Sequence, residues 1–117
     1  MRYALLIYTS EDGPPPTDEQ MQQIMSAYDA YTEGVRKSGA YEYGDAFNPS
    51  SEAVTVRVRD GKTQTSKGPF EKTKETLGGI YVVSARDQQH AIDLAAGIPG
   101  AQWGSIEIRP LMELPTG

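Results

Sequence analysis

Two glycines run straight into four apolar residues at positions 78 to 83, and this junction restricts the fold more than any other part of the chain. Ile80, Tyr81, Val82 and Val83 are apolar at consecutive positions, a pattern that suits a β-strand covered on both faces rather than one half in water. Gly78 and Gly79 carry no Cβ, so another backbone or a ligand can come close to the strand entrance. Just upstream, Gly68 has backbone angles open to it that other residues avoid. Pro69 fixes its own φ and pushes its predecessor toward extended geometry. Phe70 then stands as a large apolar anchor beside Glu71, Lys72, Lys74 and Glu75. The expectation is a rigid turn feeding an interior strand.

The remaining elements are read around that strand. Arg2 to Thr9 has Tyr3, Leu5 and Ile7 on one face and Ala4, Leu6 and Tyr8 on the other, so it too asks for two covers. A helical layer supplies one cover, and a second sheet, from another subunit, supplies the other. Pro14-Pro15-Pro16 makes an extended connector. Thr17 is then an N-cap, with Gln20 completing a capping box and Asp18 and Glu19 at the positive end of the helix dipole. Met21, Ile24, Met25, Tyr28, Thr32 and Val35 share one helical face. Arg36 and Lys37 close the last turn before Gly39, a natural stop.

Tyr41 to Phe47 reads as a second strand, broken by Asn48-Pro49-Ser50-Ser51. Ala53 to Arg59 alternates Val54, Val56 and Val58 with Thr55, Arg57 and Arg59. Asp60-Gly61 is a two-residue hairpin signal, and Lys62 to Ser66 returns as a polar strand. Ser84 or Asp87 caps a second helix to about Ala96, packing through Ala91, Ile92, Leu94 and Ala95. Ser105 to Leu111 is the last strand, with Ile106 and Ile108 opposite Glu107 and Arg109. The order β-α-β-β-β-β-α-β, a split βαβ pattern plus an added hairpin, predicts an α+β domain with a largely antiparallel sheet over residues 1–117.

Composition excludes several functions. The chain has no cysteine, hence no disulfide, thiolate metal site or thiol nucleophile. Its net charge is −5, and the basic residues are scattered rather than gathered in a stripe, which argues against direct nucleic-acid binding. No apolar run approaches the roughly 20 residues of a membrane span, and no signal peptide is visible after Met1, so a cytoplasmic location is expected. His90 is the lone histidine, flanked by Gln88, Gln89 and Asp93 without ligand spacing, so neither a metal nor any other cofactor is expected.

The series Gly68-Pro69-Phe70, Glu71, Thr73, Lys74, Glu75, Leu77, Gly78, Gly79 and Tyr81 resembles the signature of the DGPF subgroup of the YCII-related family. The Arg57 strand, the Asp60-Gly61 turn and the ending Ile106-Glu107-Ile108-Arg109-Pro110 extend the likeness over nearly the whole chain. Lys67 stands where the motif has its aspartate, so a role for that carboxylate does not carry over. The resemblance implies a ferredoxin-like fold with two helices on one face of the sheet, and a homodimer whose two sheets face each other as a dimeric α+β barrel. It implies no assigned reaction. The His-Asp pair proposed as catalytic in some relatives has no match here, and some DGPF proteins are encoded near alternative sigma factors.

Lys74 and Glu75 are the leading candidates for chemistry. One reading makes them a polar clamp, Lys74 meeting an anionic group and Glu75 moving a proton. The other makes them a solvated charge cluster. Gly68, Pro69 and Phe70 of the motif turn are further candidate ligand-binding residues, and Tyr8 and Tyr81 are candidates because a buried phenol seeks a partner and marks a pocket. Arg57 and Arg109 line an anion-binding space if a barrel closes, and are wet if it does not. Two functions follow. The first is a homodimer binding a small anionic organic molecule in a pocket between sheet and helix or within the dimer barrel, with isomerase- or lyase-like proton transfer if it is an enzyme. The second is a non-catalytic interaction or regulatory module linked to transcriptional control.

Overall fold

The Thr17 capping box forms as its sequence dictates: the threonine hydroxyl accepts from the Gln20 N–H at 3.1 Å, and the Gln20 side chain accepts from the Thr17 N–H at 2.9 Å. It starts helix α1 (Asp18–Ser38), which Gly39 ends in a left-handed conformation at φ 85°. The computed structural model describes residues 1–113. Around α1 lie strands β1 (Arg2–Ser10), β2 (Tyr41–Ala46), β3 (Val54–Arg59), β4 (Lys62–Lys67), β5 (Glu75–Ser84) and β6 (Ser105–Pro110), with a second helix, α2 (Gln88–Ala96). Asp87 caps α2 by accepting from the His90 N–H at 2.8 Å.

Four strands form one sheet in the order β2-β5-β1-β6, antiparallel at every pairing. With β3 and β4 set aside, that order and the two helices make an open α+β arrangement consistent with a ferredoxin-like fold. Tyr3, Leu5 and Ile7 of β1, with Tyr81 and Val83 of β5, face the helices. They pack with Val35, Ala91, Ala95 and Ile98, and Ile106 and Ile108 flank this core. The strand expected from Ile80 to Val83 is longer than its apolar run and reaches back through the glycines to Glu75. A register shift against Ile7/Tyr8 lets it cross that stretch.

Among the described residues, no helix covers the other sheet face. Ala4, Leu6 and Tyr8 of β1, Leu77, Ile80 and Val82 of β5, and Glu107 and Arg109 of β6 share it. Leu6, Tyr8, Ile80 and Val82 are half-buried there, shielded only by one another and by their neighbours. Both double-sided strands therefore have one cover within the chain.

Two packing expectations are corrected. Met21 and Met25 are exposed, because the first half of α1 stands over a part of the sheet built from Gly44, Gly78 and Gly79, which offers few side chains to meet it. Ile92 is exposed on α2, whose contact with the core runs through Ala91 and Ala95. Val54, Val56 and Val58 alternate as read but stay exposed, since among the described residues β3 pairs with β4 alone. That hairpin is an insertion between β2 and β5. Its turn is tight, Asp60 and Gly61 both adopting positive φ (52° and 73°).

Candidate functional site

The open face of the sheet ends, on the side where the hairpin leaves, in two adjoining clefts with Tyr8 between them. The bulge opposite Ile7/Tyr8 turns Glu75 and Leu77 onto this face, opposite Ser10 and Tyr8 respectively. Ser105 arrives beside Tyr8 on β6. The first cleft, about 840 Å³ and shallow, is lined by Tyr8, Ser10, Thr73, Lys74, Glu75, Trp103, Ser105, Ile106 and Glu107. The Ser105 hydroxyl donates to Glu75 Oε1 at 2.9 Å, and the Thr73 hydroxyl donates to the Glu75 carbonyl. Glu75 is thus held from both sides, by its carboxylate and by its backbone, while Lys74 stays exposed and without an ion-pair partner among the described residues.

The second cleft, about 620 Å³, opens beneath the hairpin base. Pro69, Phe70, Phe47, Val54 and Leu77 supply its apolar wall, and Glu71, Thr73 and Thr76 its polar part. Gly68 adopts φ 92°, and its backbone bridges the two sides of the hairpin root. Its N–H donates to the Ala53 carbonyl at 2.7 Å, and its carbonyl accepts from the Thr55 hydroxyl at 2.8 Å. The neighbouring Glu11 carboxylate accepts from the Ser50 hydroxyl and, at 2.8 Å, from the Ser50 N–H. Those bonds, the hydroxyl's first, hold its carboxyl below the ordinary value of 4.5.

Of the nine residues singled out from the sequence, Tyr8, Lys74, Glu75, Pro69 and Phe70 line these two clefts and Gly68 shapes their edge. Three lie elsewhere. Arg57 projects from the hairpin and lines neither cleft. Arg109 sits farther along the open face beside Ala4, bonded to Glu107 at 3.1 Å with both side chains largely in water. Tyr81 is on the opposite face, under α1, where its hydroxyl and the Thr32 hydroxyl share a hydrogen bond of 2.7 Å. It lines a separate pocket of about 460 Å³ between α1 and the glycine-rich end of the sheet, with Tyr28, Met21 and Met25. Burial, the first cause, raises the pKa values of Tyr28, Tyr31 and Tyr81.

The sequence reading gives Trp103, Ser105 and Ser10 no place at the site. A lone tryptophan before a glycine in a loop is the signal that would have found Trp103, which is 54% exposed at the rim of the first cleft. Gly104 lets that loop close: a Cβ there would fall 2.2 Å from the Tyr8 carbonyl oxygen. Ser105 and Ser10 reach the site only through strand pairing, which local sequence does not display. Among the described residues, no group of three or more His, Asp or Glu side chains is placed to hold a metal ion. No described helix is long and apolar enough to cross a membrane.

A small α+β domain with an open antiparallel sheet and a polar cleft at one sheet end is the class these features define. The chain belongs to the YCII-related family, whose model matches residues 1–115. It is also similar to an uncharacterized protein of Rhizobium meliloti (strain 1021), 31% identical over 114 residues that cover 95% of this chain and 92% of that protein.

Proposed function

We propose that this YCII-related protein acts as a homodimer that binds a small anionic organic molecule on the open sheet face, in the cleft that holds Lys74 and Glu75. The observation that carries the reading is the meeting of Tyr8, Lys74, Glu75 and Ser105 where the sheet leaves its apolar residues uncovered. Lys74 supplies a free ammonium for a carboxylate or phosphate. Trp103 and Tyr8 offer flat apolar surface for the body of the ligand. Glu75, oriented by Ser105, is placed to take a proton from a carbon or hydroxyl of that ligand, with Lys74 holding the negative charge that develops. An isomerisation or lyase-type cleavage is the chemistry such a pair performs. No arginine lines the cleft, so the anion is met by a single side-chain cation, as a point charge rather than a bidentate fork.

The second subunit supplies what one chain lacks, a wall above the face. Leu6, Ile80 and Val82 gain a dry environment when two such faces meet, and the shallow cleft becomes enclosed. A charge-assisted contact gains most of its strength only in such a water-poor site.

The test is a titration of the protein with a panel of small aromatic and aliphatic carboxylates, followed by backbone amide NMR. Shifts should gather at residues 73–77 and 103–107, and K74A should weaken any binding observed by about tenfold, the loss of one charge-assisted contact. E75Q should retain binding and lose turnover. Shifts confined to the pocket under α1, or K74A binding as well as the parent, would remove the proposal. The interaction-module reading is favoured by one observation, the 76% exposure of Phe70 on the motif turn. It gains ground if F70A abolishes capture of a protein partner while leaving carboxylate binding intact.

A further inference from the structure

We infer that the β3–β4 hairpin is an arm that docks on a second copy of this chain, with Val54, Val56 and Val58 covered by the partner. The inference rests on the homodimer proposed above and adds the element that clasps it. Three observations lead to it. Among the described residues the hairpin hydrogen-bonds to no other strand, and its hydrogen bonds to the rest of the chain lie at its root, through Gly68, Ala53 and Thr55. A two-stranded hairpin alone in water is marginally stable, so one that presents three valines at 62%, 59% and 58% exposure lacks its packing partner within the chain. The molecule is correspondingly spread out, 49 × 47 × 18 Å with a radius of gyration of 16.4 Å, against roughly 13 Å for a compact chain of this length.

Charge selects the occupant. The hairpin carries Arg57, Arg59, Lys62 and Lys67 against Asp60 alone, a net +3, which in a chain of net −5 leaves −8 on the remainder. Arg57, Arg59 and Lys62 lie on the side away from the valines, so these charges act at long range: two arms repel each other and each is drawn to an acidic body, which favours arm-on-body docking over arm-on-arm. Continuity points the same way. Val54 shares the second cleft with Phe70, Leu77 and Tyr8, and the last two belong to the open sheet face. One apolar strip therefore runs from Ile80 and Leu6 through Leu77 and Phe70 onto the arm. In a two-fold dimer each face meets its twin, and each arm passes onto the partner's body.

The two stripes of the hairpin make the test clean. Val56 and Val58 face one side with Thr65 and Thr63, while Arg57 and Arg59 face the other. Replacing the exposed valines in V56K/V58K removes the apolar contact without touching the core of the subunit. Sedimentation equilibrium should show a dimer for the parent chain and a dimer Kd at least about tenfold weaker for V56K/V58K, with the far-ultraviolet spectrum unchanged. V82K, on the sheet face, separates the two readings. If V82K dissociates the dimer and V56K/V58K does not, the arm proposal falls and the paired faces stand. If the parent chain is monomeric, both fall together.

A second measurement uses the absence of cysteine: V58C places one spin label per chain. The arm proposal predicts a defined label-to-label distance in the dimer. A distribution as broad as a free arm gives would overturn it, as would binding of the arm to duplex DNA by a monomeric chain.

Discussion

Tyr81, a buried phenol expected to mark a pocket, lines one under α1 rather than the cleft that holds Lys74. Its place in an apolar run marks it as a core residue with a hydroxyl in search of a partner, and it is 7% exposed with that hydroxyl bonded to Thr32. Its ring meets Tyr31 edge-on at a centroid distance of 5.3 Å and Tyr41 at 6.4 Å, so it organises an aromatic cluster under α1, away from Lys74. Alternation alone places Tyr81 and Glu75 on opposite or equal faces according to whether a bulge intervenes, and the bulge at Gly78 is invisible to a count of residues. Y81F should cost about 1 kcal/mol in urea unfolding, the net worth of one partly buried hydrogen bond, and should leave carboxylate binding at Lys74 unchanged. The same cluster responds to alkali. Burial lifts the Tyr28, Tyr31 and Tyr81 phenols above their ordinary pKa of 10, so the folded chain keeps protons that the unfolded chain releases. Their contribution to stability is complete below pH 10 and is lost as pH rises beyond it. Tyrosinate absorbance in an alkaline titration should therefore lag for these three and rise sharply on unfolding.

Among elements, α1 was the most legible because its signals are local. Capping box, acidic first turn, basic last turn and Gly39 all sit within a few residues of the ends they define. T17A should destabilise the domain by about 1 kcal/mol, measured by thermal or urea melts, since one hydroxyl satisfies an N–H that then has only water. The helix's packing face was less legible, because what it packs against is decided by distant glycines. Gly44 shows the dependence in reverse. A Cβ there would come within 2.7 Å of the Tyr81 ring, which two aromatic contacts and the Thr32 bond hold in place. G44A should accordingly cost more than an ordinary strand Gly→Ala exchange, on the order of 2 kcal/mol by the scale of overpacked cores. The hairpin's strands and turn were readable from alternation and Asp60-Gly61. That its apolar stripe finds no core was not, since alternation reports a face and never its cover.

At the scale of the molecule, the largely antiparallel α+β class and the family, with the two helices on one face that it implies, could be read before the structure, because the double-sided apolar strands and the motif from Gly68 to Tyr81 are properties of contiguous sequence; the strand order β2-β5-β1-β6 was not. The cleft was only partly readable. Lys74, Glu75 and Pro69-Phe70 belong to that contiguous motif, whereas Trp103, Ser105 and Ser10 join it through the pairing of β1 with β5 and β6. Tertiary neighbours of this kind leave no trace in spacing. What remains uncovered within the chain is the sheet face itself, with Leu6, Ile80 and Val82 at its centre, and a twin subunit is its predicted cover. Native mass spectrometry of the unmodified protein, taken from its own host at dilute concentration, tests this most directly. A dominant species at twice the 12.8 kDa chain mass is the predicted result. A population held at 12.8 kDa across the concentration range would contradict it.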